Sequence, residues 1–509
     1  MIMRIVKYLP FLITVFFVAV ILSCDDTLTG EFHENQPPRT FLTVDTIATE
    51  QRMPSQVDIE WWGDDPDGYV AAYEICIDDQ NIDMECDPSA DNEWWERTER
   101  TDTTLILPLP VGESEADIRF SVRAIDNEGL RDPEGASVFF PIRNQPPSIM
   151  FDPTQSPPDT TYFMASFGFI AEDPDGEQDL NYYKIAINDT SWVRIDDPDI
   201  DFFSIEIDQN DVNADGSVTA ELFTGRAFTP TGIKFESINL EEQNSVYLKA
   251  FDQAEEESPT DTLDLYIKEQ KSNTLVVNDA AGTNIINQHA DFLNYAGFGD
   301  FDYYDISEAL IPSGNVLPIP IEPTLNRELA QWDNIYWVSN SLTRNLLFVL
   351  QATRDFRENN GKIFINAPIT YDTDTPVDEE NIDDVFSLIP ASGFETHPDG
   401  GRFRLDRLGG EGREVLPVFQ NSENGQDLTL QLDVGIGNLV PLIIGADNEP
   451  LFEADYIDSD DYDYSRVISS VEEGDDPSVL YFGIRLTDFT DDSPVHETVD
   501  YFLNERLGF

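Results

Sequence analysis

The sequence predicts a multidomain chain in which two all-β sandwich modules precede an α/β domain with a mainly parallel sheet. The first observation is a repeat: the tetrapeptide NQPP occurs at 35–38 and 144–147, and each copy precedes a DPDG turn, within 64–68 and 172–176. The second is that short runs rich in β-branched and aromatic residues, separated by Asp, Pro and Gly, surround both copies. The third is that from residue 274 onward apolar strands alternate with helix-like segments, as in sheets covered on both faces.

The first 23 residues have the pattern of a secretory signal peptide. The basic residues Arg4 and Lys7 precede an apolar run that ends at Leu22 and is shorter than a bilayer-spanning helix. The phrase ILSC that closes this run resembles the bacterial lipobox, in which a cysteine receives a diacylglyceryl group before cleavage. The resemblance implies that Cys24 is the lipidated first residue of the mature chain. An ordinary signal peptide with a chance cysteine, or an uncleaved anchor, is the alternative.

Lipidation at Cys24 would decide where the protein resides. Two or three acyl chains exceed the single-chain level at which membrane binding is only marginal. The resemblance therefore implies a partner, the membrane, and a location, the bacterial cell envelope, with the chain anchored at the outer membrane or cell surface. Residues 24–38 are then a short acylated tether.

Charge sets this chain apart from an average globular protein. The 509 residues include 100 Asp+Glu but only 29 Lys+Arg, which gives a formal net charge of -71. Such a surface repels nucleic acid, so we expect no nucleic-acid partner. A halophilic habitat, where salt screens the self-repulsion, is one explanation, and a merely soluble acidic surface is the other.

The repeat divides the first half into module 1, residues 39–143, and module 2, residues 144–270. A third landmark supports it, since FSVRAIDNEGLRDP at 120–133 is echoed by YLKAFDQAEEESP at 247–259. The linker, the DPDG turns and the AID or AFD turns together resemble those of fibronectin type III and immunoglobulin-like modules of bacterial surface proteins. That resemblance implies β-sandwiches acting as a stalk.

Two cysteines follow the lipidation site. Cys76 and Cys86 are close enough to close one hairpin-sized loop in an oxidising compartment. A zinc site would need more ligands, and no histidine lies near them. The sequence favours a disulfide between them over two free thiols.

The acidic turns of both modules raise the question of calcium. In a sandwich of this kind, the DPDG turn and the AID or AFD turn lie at the same end, so their carboxylates can approach one another and supply oxygens to Ca²⁺. The alternative is that Asp-Pro-Asp-Gly simply makes a good turn. The acids concerned are Asp64, Asp65, Asp67 and Asp126 in module 1, and Asp173, Asp175 and Asp252 in module 2.

A second calcium motif lies in module 2. The stretch DVNADGSVTAEL, residues 211–222, resembles the calcium loop of EF-hands and dockerins, which implies Asp211, Asn213 and Asp215 as ligands. The pattern departs from the family at its twelfth position, where Leu222 replaces the bidentate glutamate. A surface turn without metal is the alternative.

Residues 271–509 carry a different pattern, in which strand and helix alternate. The strand order, with the phrases WDNIYWVSN and NNGKIFINAP, resembles the flavodoxin-like fold of class I glutamine amidotransferase-like domains. That family needs a cysteine nucleophile paired with a histidine. No cysteine follows Cys86, and neither G-x-S-x-G nor H-E-x-x-H is present. The sequence therefore predicts no catalytic residue and an inactive domain.

These observations predict an envelope lipoprotein with a structural or binding role and an unknown protein or glycan partner. Apart from calcium, no cofactor is expected. The alternative is an envelope hydrolase that acts on carbohydrate or peptide and uses the sandwich modules as accessories.

Overall fold

The computed structural model separates into two compact units, one ending at Asn144 and the other spanning Gln145–Phe509. The predicted signal peptide and Cys24 lie outside the described residues. No helix in the described part of the chain is both long and apolar enough to cross a membrane. The structure describes residues 34–44, 52–82, 84, 86–87, 89–90, 93–157, 160–280, 283–306, 324–340, 348–369, 386, 388–397, 402–405, 414–418, 428–456, 464–490 and 492–509.

The first unit is a β-sandwich built from two sheets, ordered β1-β2-β5 and β4-β3-β6-β7. Inward-facing residues alternate with exposed ones along β2, so that Val57, Ile59 and Trp61 pack against Phe120 and Phe140. Its strands are β1 (Arg39–Thr43), β2 (Gln56–Asp64), β3 (Val70–Ile77), β4 (Glu96–Thr98), β5 (Asp102–Ile106), β6 (Glu115–Asp126) and β7 (Ala136–Arg143).

One sheet of this sandwich carries a buried ion pair on its outer side. The carboxylate of Glu74 accepts a hydrogen bond from Nε of Arg123 at 2.7 Å and pairs with Arg131 at 2.9 Å. Burial alone would raise the pKa of Glu74, but the hydrogen bonds from the two arginines bring it below its usual value. Cys76, two residues after Glu74 on β3, forms a disulfide with Cys86.

The second unit begins with another β-sandwich. Its sheets are ordered β15-β14-β13-β10-β8 and β12-β11-β16-β17-β9, and buried side chains such as Phe167, Phe203, Ile185 and Leu248 fill the space between them. Its strands are β8 (Ser148–Phe151), β9 (Thr160–Thr161), β10 (Met164–Glu172), β11 (Leu180–Ile187), β12 (Val193–Ile195), β13 (Phe202–Val212), β14 (Val218–Thr224), β15 (Thr229–Ile238), β16 (Glu242–Asp252) and β17 (Asp261–Ile267).

The rest of the second unit is organised around a mixed sheet. The strands of the region are β18 (Thr274–Asp279), β19 (Asp302–Asp305), β20 (Asn334–Ser339), β21 (Lys362–Asn366), β22 (Gly393–Phe394), β23 (Phe403–Leu405), β24 (Glu414–Pro417), β25 (Leu430–Gln431), β26 (Ile436–Leu439), β27 (Leu442–Ile443), β28 (Asn448–Ala454), β29 (Val467–Glu472) and β30 (Val479–Phe482). In the described part of this region, β22 pairs with β27 and β23 with β26 in two separate two-stranded sheets, and the other strands form the mixed sheet. The helices are α1 (Thr283–Tyr295), α2 (Asn326–Leu329), α3 (Arg354–Glu358) and α4 (Asp492–Asp500), and a π-helical segment, Tyr501–Leu507, follows α4.

Within the described residues, this sheet has the order β19-β18-β20-β21-β30-β29-β28-β24-β25. The pairings from β19 to β30 are parallel, and those from β30 to β25 are antiparallel. Every residue of β18 and β20 is buried, because apolar clusters cover both faces: Trp337 belongs to one cluster and Tyr336 to the other. Burial on both faces is typical of parallel strands.

Glu328 of α2 joins the second sandwich to the mixed sheet. Its carboxylate is fully buried and accepts hydrogen bonds from the backbone N–H groups of Tyr162 at 2.7 Å, Phe163 at 2.9 Å and Met164 at 2.7 Å. The hydroxyl of Thr161 lies 3.1 Å from the same carboxylate. One acidic side chain of the sheet region thus satisfies the backbone of a whole loop in the sandwich.

Aromatic packing extends this junction. The rings of Tyr162 and Phe163 meet Trp332 edge to face, with centroids 5.0 and 5.5 Å apart. Tyr162 and Phe163 belong to the same buried cluster as the core of the mixed sheet. Residues 162–164 of the second sandwich therefore pack into the core of the sheet region, while a separate cluster fills the space between the two sandwich sheets.

The buried carboxylate makes stability depend on pH. Burial raises the pKa of Glu328 to about 7 from an ordinary value of 4.5, against the hydrogen bonds that lower it. Between these two pKa values the folded chain holds a proton that the unfolded chain has released, so this group makes the free energy of unfolding fall as pH rises from about 4.5 to about 7. We predict that Glu328→Gln flattens this dependence. We also expect it to destabilise the second unit by about 1–3 kcal/mol, since an amide N–H would then face backbone donors.

Urea unfolding of the full chain at pH 5 and pH 7.5 measures both effects. Glu358→Gln, an exposed position at the end of α3, is the matched control and should leave the profile unchanged. An identical pH dependence in the Glu328 variant and the unchanged chain would contradict the prediction.

Candidate metal centre in the second sandwich

Three carboxylates converge in the turn between β10 and β11. The segment leaves β10 at Glu172 and turns through Gly176, whose φ of 116° lies in the region that favours glycine. A single 3₁₀ turn, Glu177–Asp179, then leads into β11. This path places one carboxylate oxygen each of Asp173, Asp175 and Asp179 within 4.8 Å of one another.

These oxygens are buried and lack hydrogen-bond donors. Asp173 is 8% exposed and Asp175 is 2% exposed, whereas Asp179 is intermediate as a residue. Within the described structure, Oδ2 of Asp173, Oδ1 of Asp175 and Oδ2 of Asp179 are shielded from solvent without a hydrogen-bond partner. Burying a carboxylate oxygen without a hydrogen-bond partner costs more free energy than burying an unpaired neutral polar group.

The other oxygens of this turn are used to fix its shape. Oδ1 of Asp173 accepts a hydrogen bond from the backbone N–H of Asp175 at 2.7 Å. Oδ2 of Asp175 accepts one from the backbone N–H of Gln145 at 2.6 Å. One oxygen of Asp173 and one of Asp175 therefore hold the backbone, and the second oxygen of each is buried without a donor.

Electrostatics within the cluster are unfavourable in the absence of a cation. Burial, together with the neighbouring carboxylates of Asp179, Asp175 and Asp252, raises the pKa of Asp173 to about 7, against one backbone hydrogen bond that lowers it. Burial likewise raises the pKa of Asp179 to about 6, with Asp252 and Asp175 adding to the shift. A bound cation would offset the burial and the mutual repulsion that oppose ionisation of these carboxylates.

The spacing suits a hard divalent cation. Ca²⁺ binds six to eight oxygens at about 2.3–2.6 Å, so two ligands on opposite sides of the ion are about 4.6–5.2 Å apart. A mutual separation of at most 4.8 Å allows the three carboxylate oxygens to share one ion. Water would complete the shell. The residues present therefore fit Ca²⁺.

Asp252 lies beside this cluster rather than in it. It ends β16 and is fully buried, and its Oδ1 accepts the backbone N–H of Glu256 at 2.8 Å. The sequence placed Asp173 and Asp175 with Asp252, whereas in the structure the third member of the group is Asp179. The spacing D-x-D-x-x-x-D is present in the sequence, but it does not predict a ligand set by itself, because the 3₁₀ turn after DPDG is what brings Asp179 back to Asp173 and Asp175.

Module 1 carries a related turn without the third carboxylate. In both modules the strand after the DPDG turn starts opposite an aspartate at the end of β6 or β16, Asp126 or Asp252. The residue just before that strand is Asp179 in module 2 but Tyr69 in module 1. Module 1 therefore has fewer acids at this end.

In module 1, protein donors satisfy Asp126, the counterpart of Asp252. The carboxylate of Asp126 accepts hydrogen bonds from Asn35 Nδ2 at 2.7 Å, Glu128 N at 2.8 Å and Leu130 N at 2.9 Å. Burial would raise the pKa of Asp126, but these donors lower it below its usual value. In the described structure, one buried carboxylate oxygen of the module 1 turn, Oδ2 of Asp65, has no hydrogen-bond donor, whereas three such oxygens meet this description in module 2.

The EF-hand-like stretch forms the hairpin between β13 and β14. Asp215 Oδ1 accepts hydrogen bonds from the backbone N–H of Ser217 at 3.1 Å and from its hydroxyl at 2.7 Å. The amide of Asn213 donates to the carbonyl oxygen of Glu236 at 2.8 Å. These two candidate ligands therefore hold the hairpin together.

The remaining positions of that stretch point elsewhere. Asp211 lies 3.9 Å from Lys234 Nζ, and Leu222, in the closing position, is buried in the sandwich core. Calcium at this hairpin stays a prediction, with less geometric support than the cluster at Asp173.

No protein-family model matches this chain, and no curated protein matches it. Among solved structures, it is similar to fibronectin(III)-like modules of Clostridium thermocellum CbhA, at 11% identity, over 45% of this chain and 95% of that one, with a TM-score of 0.15. It is similar to the central fibronectin-III array of RIM-binding protein at 13% identity, over 47% and 71%, with a TM-score of 0.15. A tandem repeat from the extending region of a large adhesion protein matches at 12% identity, over 45% and 49%, with a TM-score of 0.18.

We predict that Ca²⁺ stabilises the chain and that Asp179→Asn removes most of this effect. A ligand at a hundred times its dissociation constant stabilises the folded state by about 2.7 kcal/mol. Asp199→Asn is the matched control, because it removes the same charge from an exposed position of the same module.

Calorimetry at pH 7.5, with excess Ca²⁺ and with a chelator, measures the shift in the temperature of unfolding. A rise of several degrees is expected for the unchanged chain and for the Asp199 variant. Equal shifts in the two variants would exclude the cluster as the binding site.

Proposed function

We propose that this chain is a lipid-anchored protein of the bacterial cell envelope with a structural or binding role, in which Ca²⁺ held by Asp173, Asp175 and Asp179 stabilises the second sandwich. The observation that carries the proposal is the group of buried carboxylate oxygens without donors. When bound, Ca²⁺ would supply the positive charge that this turn lacks. The protein's own residues fix the turn and exclude solvent from it.

The disulfide supports a location outside the cytoplasm. Disulfides persist in oxidising compartments, and the bond between Cys76 and Cys86 closes a loop in module 1. Calcium modules that work outside cells often bind the ion with dissociation constants of about 10⁻⁴–10⁻³ M. A site with three carboxylates and shared water would suit that range.

We also propose that the C-terminal region is a flavodoxin-like α/β domain without catalytic activity. The parallel pairing from β19 to β30 and the fully buried strands β18 and β20 support the fold. The sequence has no cysteine after Cys86. Burial lowers the pKa of His289 to about 3, and its ring hydrogen-bonds Tyr336 in the core, so it is unavailable as a surface base.

In this account the sandwiches serve as a stalk, and the mixed sheet is presented on it. The contacts of Glu328 with residues 161–164 support the idea that the second sandwich and the sheet region act as one body. The net charge of -71 supports an environment rich in salt and a partner that is not an anionic polymer.

Intact mass and detergent-phase partitioning of the protein from its native host test the anchor. We predict that the chain carries acyl mass and enters the detergent phase, and that Cys24→Ala loses both properties. Cys86→Ala is the matched control, since it removes a cysteine without removing the acylation site. A soluble, unacylated chain with the same mature terminus as the Cys24 variant would overturn the anchor.

A further inference from the structure

Exposed aromatic side chains are concentrated in the first unit. Of the six aromatic residues that are exposed among the described residues, only Tyr295 belongs to the second unit. On a soluble protein, a contiguous patch of exposed apolar surface often marks an interaction site. The five in the first unit are Phe41, Trp62, Tyr69, Trp94 and Phe139.

Two of these residues form a stacked pair on the outer face of the β1-β2-β5 sheet. Phe41 of β1 is directly opposite Trp62 of β2, and their ring centroids are 4.1 Å apart with an interplanar angle of 16°. Phe41 is 40% exposed and Trp62 is 51% exposed. Because the neighbouring residues Thr40 and Trp61 point into the core, the alternation of the strands fixes both rings on the solvent side.

Acids and hydroxyls surround the pair on the same face. Thr43 is opposite Glu60, and Glu60 is also opposite Asp102 on the other side. Like charges directly opposite one another on neighbouring strands are destabilising. Further along the face, the hydroxyl of Thr104 donates to Asp58 at 2.6 Å. The opposed acids lower the stability of the sheet, and the carboxylates place hydrogen-bond acceptors beside the apolar aromatic pair.

We propose that the outer face of the β1-β2-β5 sheet binds a neutral polysaccharide. A sugar ring presents a face of C–H groups, and the aromatic π-face carries the partial negative charge that attracts them. The sugar hydroxyls would donate to the carboxylates of Glu60 and Asp58, and hydrogen bonds to ionised groups are the stronger kind. Phe41 and Trp62 supply the stacking surface.

Charge argues against the other classes of ligand. This face carries four acids, Asp58, Glu60, Asp64 and Asp102, against one arginine, Arg39 opposite Asp64, so its net negative charge would repel an anionic glycan or nucleic acid. A cationic protein would be attracted, but its binding would depend on the carboxylates and weaken steeply with salt. A neutral polysaccharide held by stacking would depend on Trp62 and change little with salt.

The inference rests on the binding role proposed above, and it gives that role a ligand class. It does not depend on the calcium site or on the lipid anchor, because the face belongs to module 1. Adding a chelator should therefore leave polysaccharide binding unchanged. This separates a failure of the calcium proposal from a failure of this one.

Affinity electrophoresis of the full-length chain tests the proposal. The probes are three neutral glucans, hydroxyethylcellulose, laminarin and dextran, with alginate as the anionic counterpart. We expect at least one neutral glucan to retard the chain and alginate not to. Trp62→Ala should weaken the retardation at least tenfold, and Trp62→Phe should restore part of it. Phe139→Ala, which removes an exposed ring from the other sheet, is the matched control and should bind as the unchanged chain does.

Three results would overturn the proposal. The first is the absence of retardation by all three glucans, and the second is equal retardation of the Trp62→Ala variant and the unchanged chain. The third is binding that Glu60→Gln abolishes, that high salt abolishes and that Trp62→Ala leaves intact, because that pattern describes a cationic partner. The unfolding temperature of each variant shows that the fold is retained.

Discussion

The shortage of cationic side chains constrains how this chain can bury its acids. With 100 Asp+Glu and 29 Lys+Arg, most carboxylates have no lysine or arginine to pair with. Glu74 is buried against Arg123 and Arg131, but other buried carboxylates accept hydrogen bonds from backbone N–H groups and from neutral side chains. Asp302 accepts the indole N–H of Trp332 at 2.9 Å and the backbone N–H of Lys271 at 3.1 Å, and Glu328 accepts three successive backbone N–H groups. Such donors stabilise a carboxylate without adding positive charge.

This constraint explains why the two repeated turns differ. In module 1, Asn35 and the backbone after Asp126 donate to Asp126, and a single buried carboxylate oxygen of the turn, Oδ2 of Asp65, is left without a donor. In module 2, Asp179 adds a third carboxylate close to those of Asp173 and Asp175, and its Oδ2 is buried without a donor. A chain with few spare cations can neutralise such a group with a proton or with a cation from solution. Under the proposal made above, a divalent ion would supply the charge that module 2 lacks, whereas in module 1 an amide donates to Asp126.

The sequence predicted the features that depend on local patterns. NQPP, the DPDG turns and the alternating strands predicted two sandwiches, and the strand pairing confirms them. Asp173 and Asp175 were found because Pro and Gly mark their turn, whereas Asp179 reaches them only through the 3₁₀ turn. Glu328 carried no signal at all. It is one acid among many in a short helix, and its partners lie more than 160 residues earlier in the chain.

The number of Ca²⁺ ions bound per chain is the sharpest test of the proposal that Asp173, Asp175 and Asp179 hold one ion. Equilibrium dialysis against Ca²⁺ in molar NaCl would screen the weak attraction of the acidic surface and leave only ions held at defined sites. We expect the Asp173→Asn variant to bind one Ca²⁺ fewer per chain than the unchanged protein, and the exposed Asp199→Asn control to bind as many Ca²⁺ ions as the unchanged protein. The same number of ions in all three proteins would contradict the proposal.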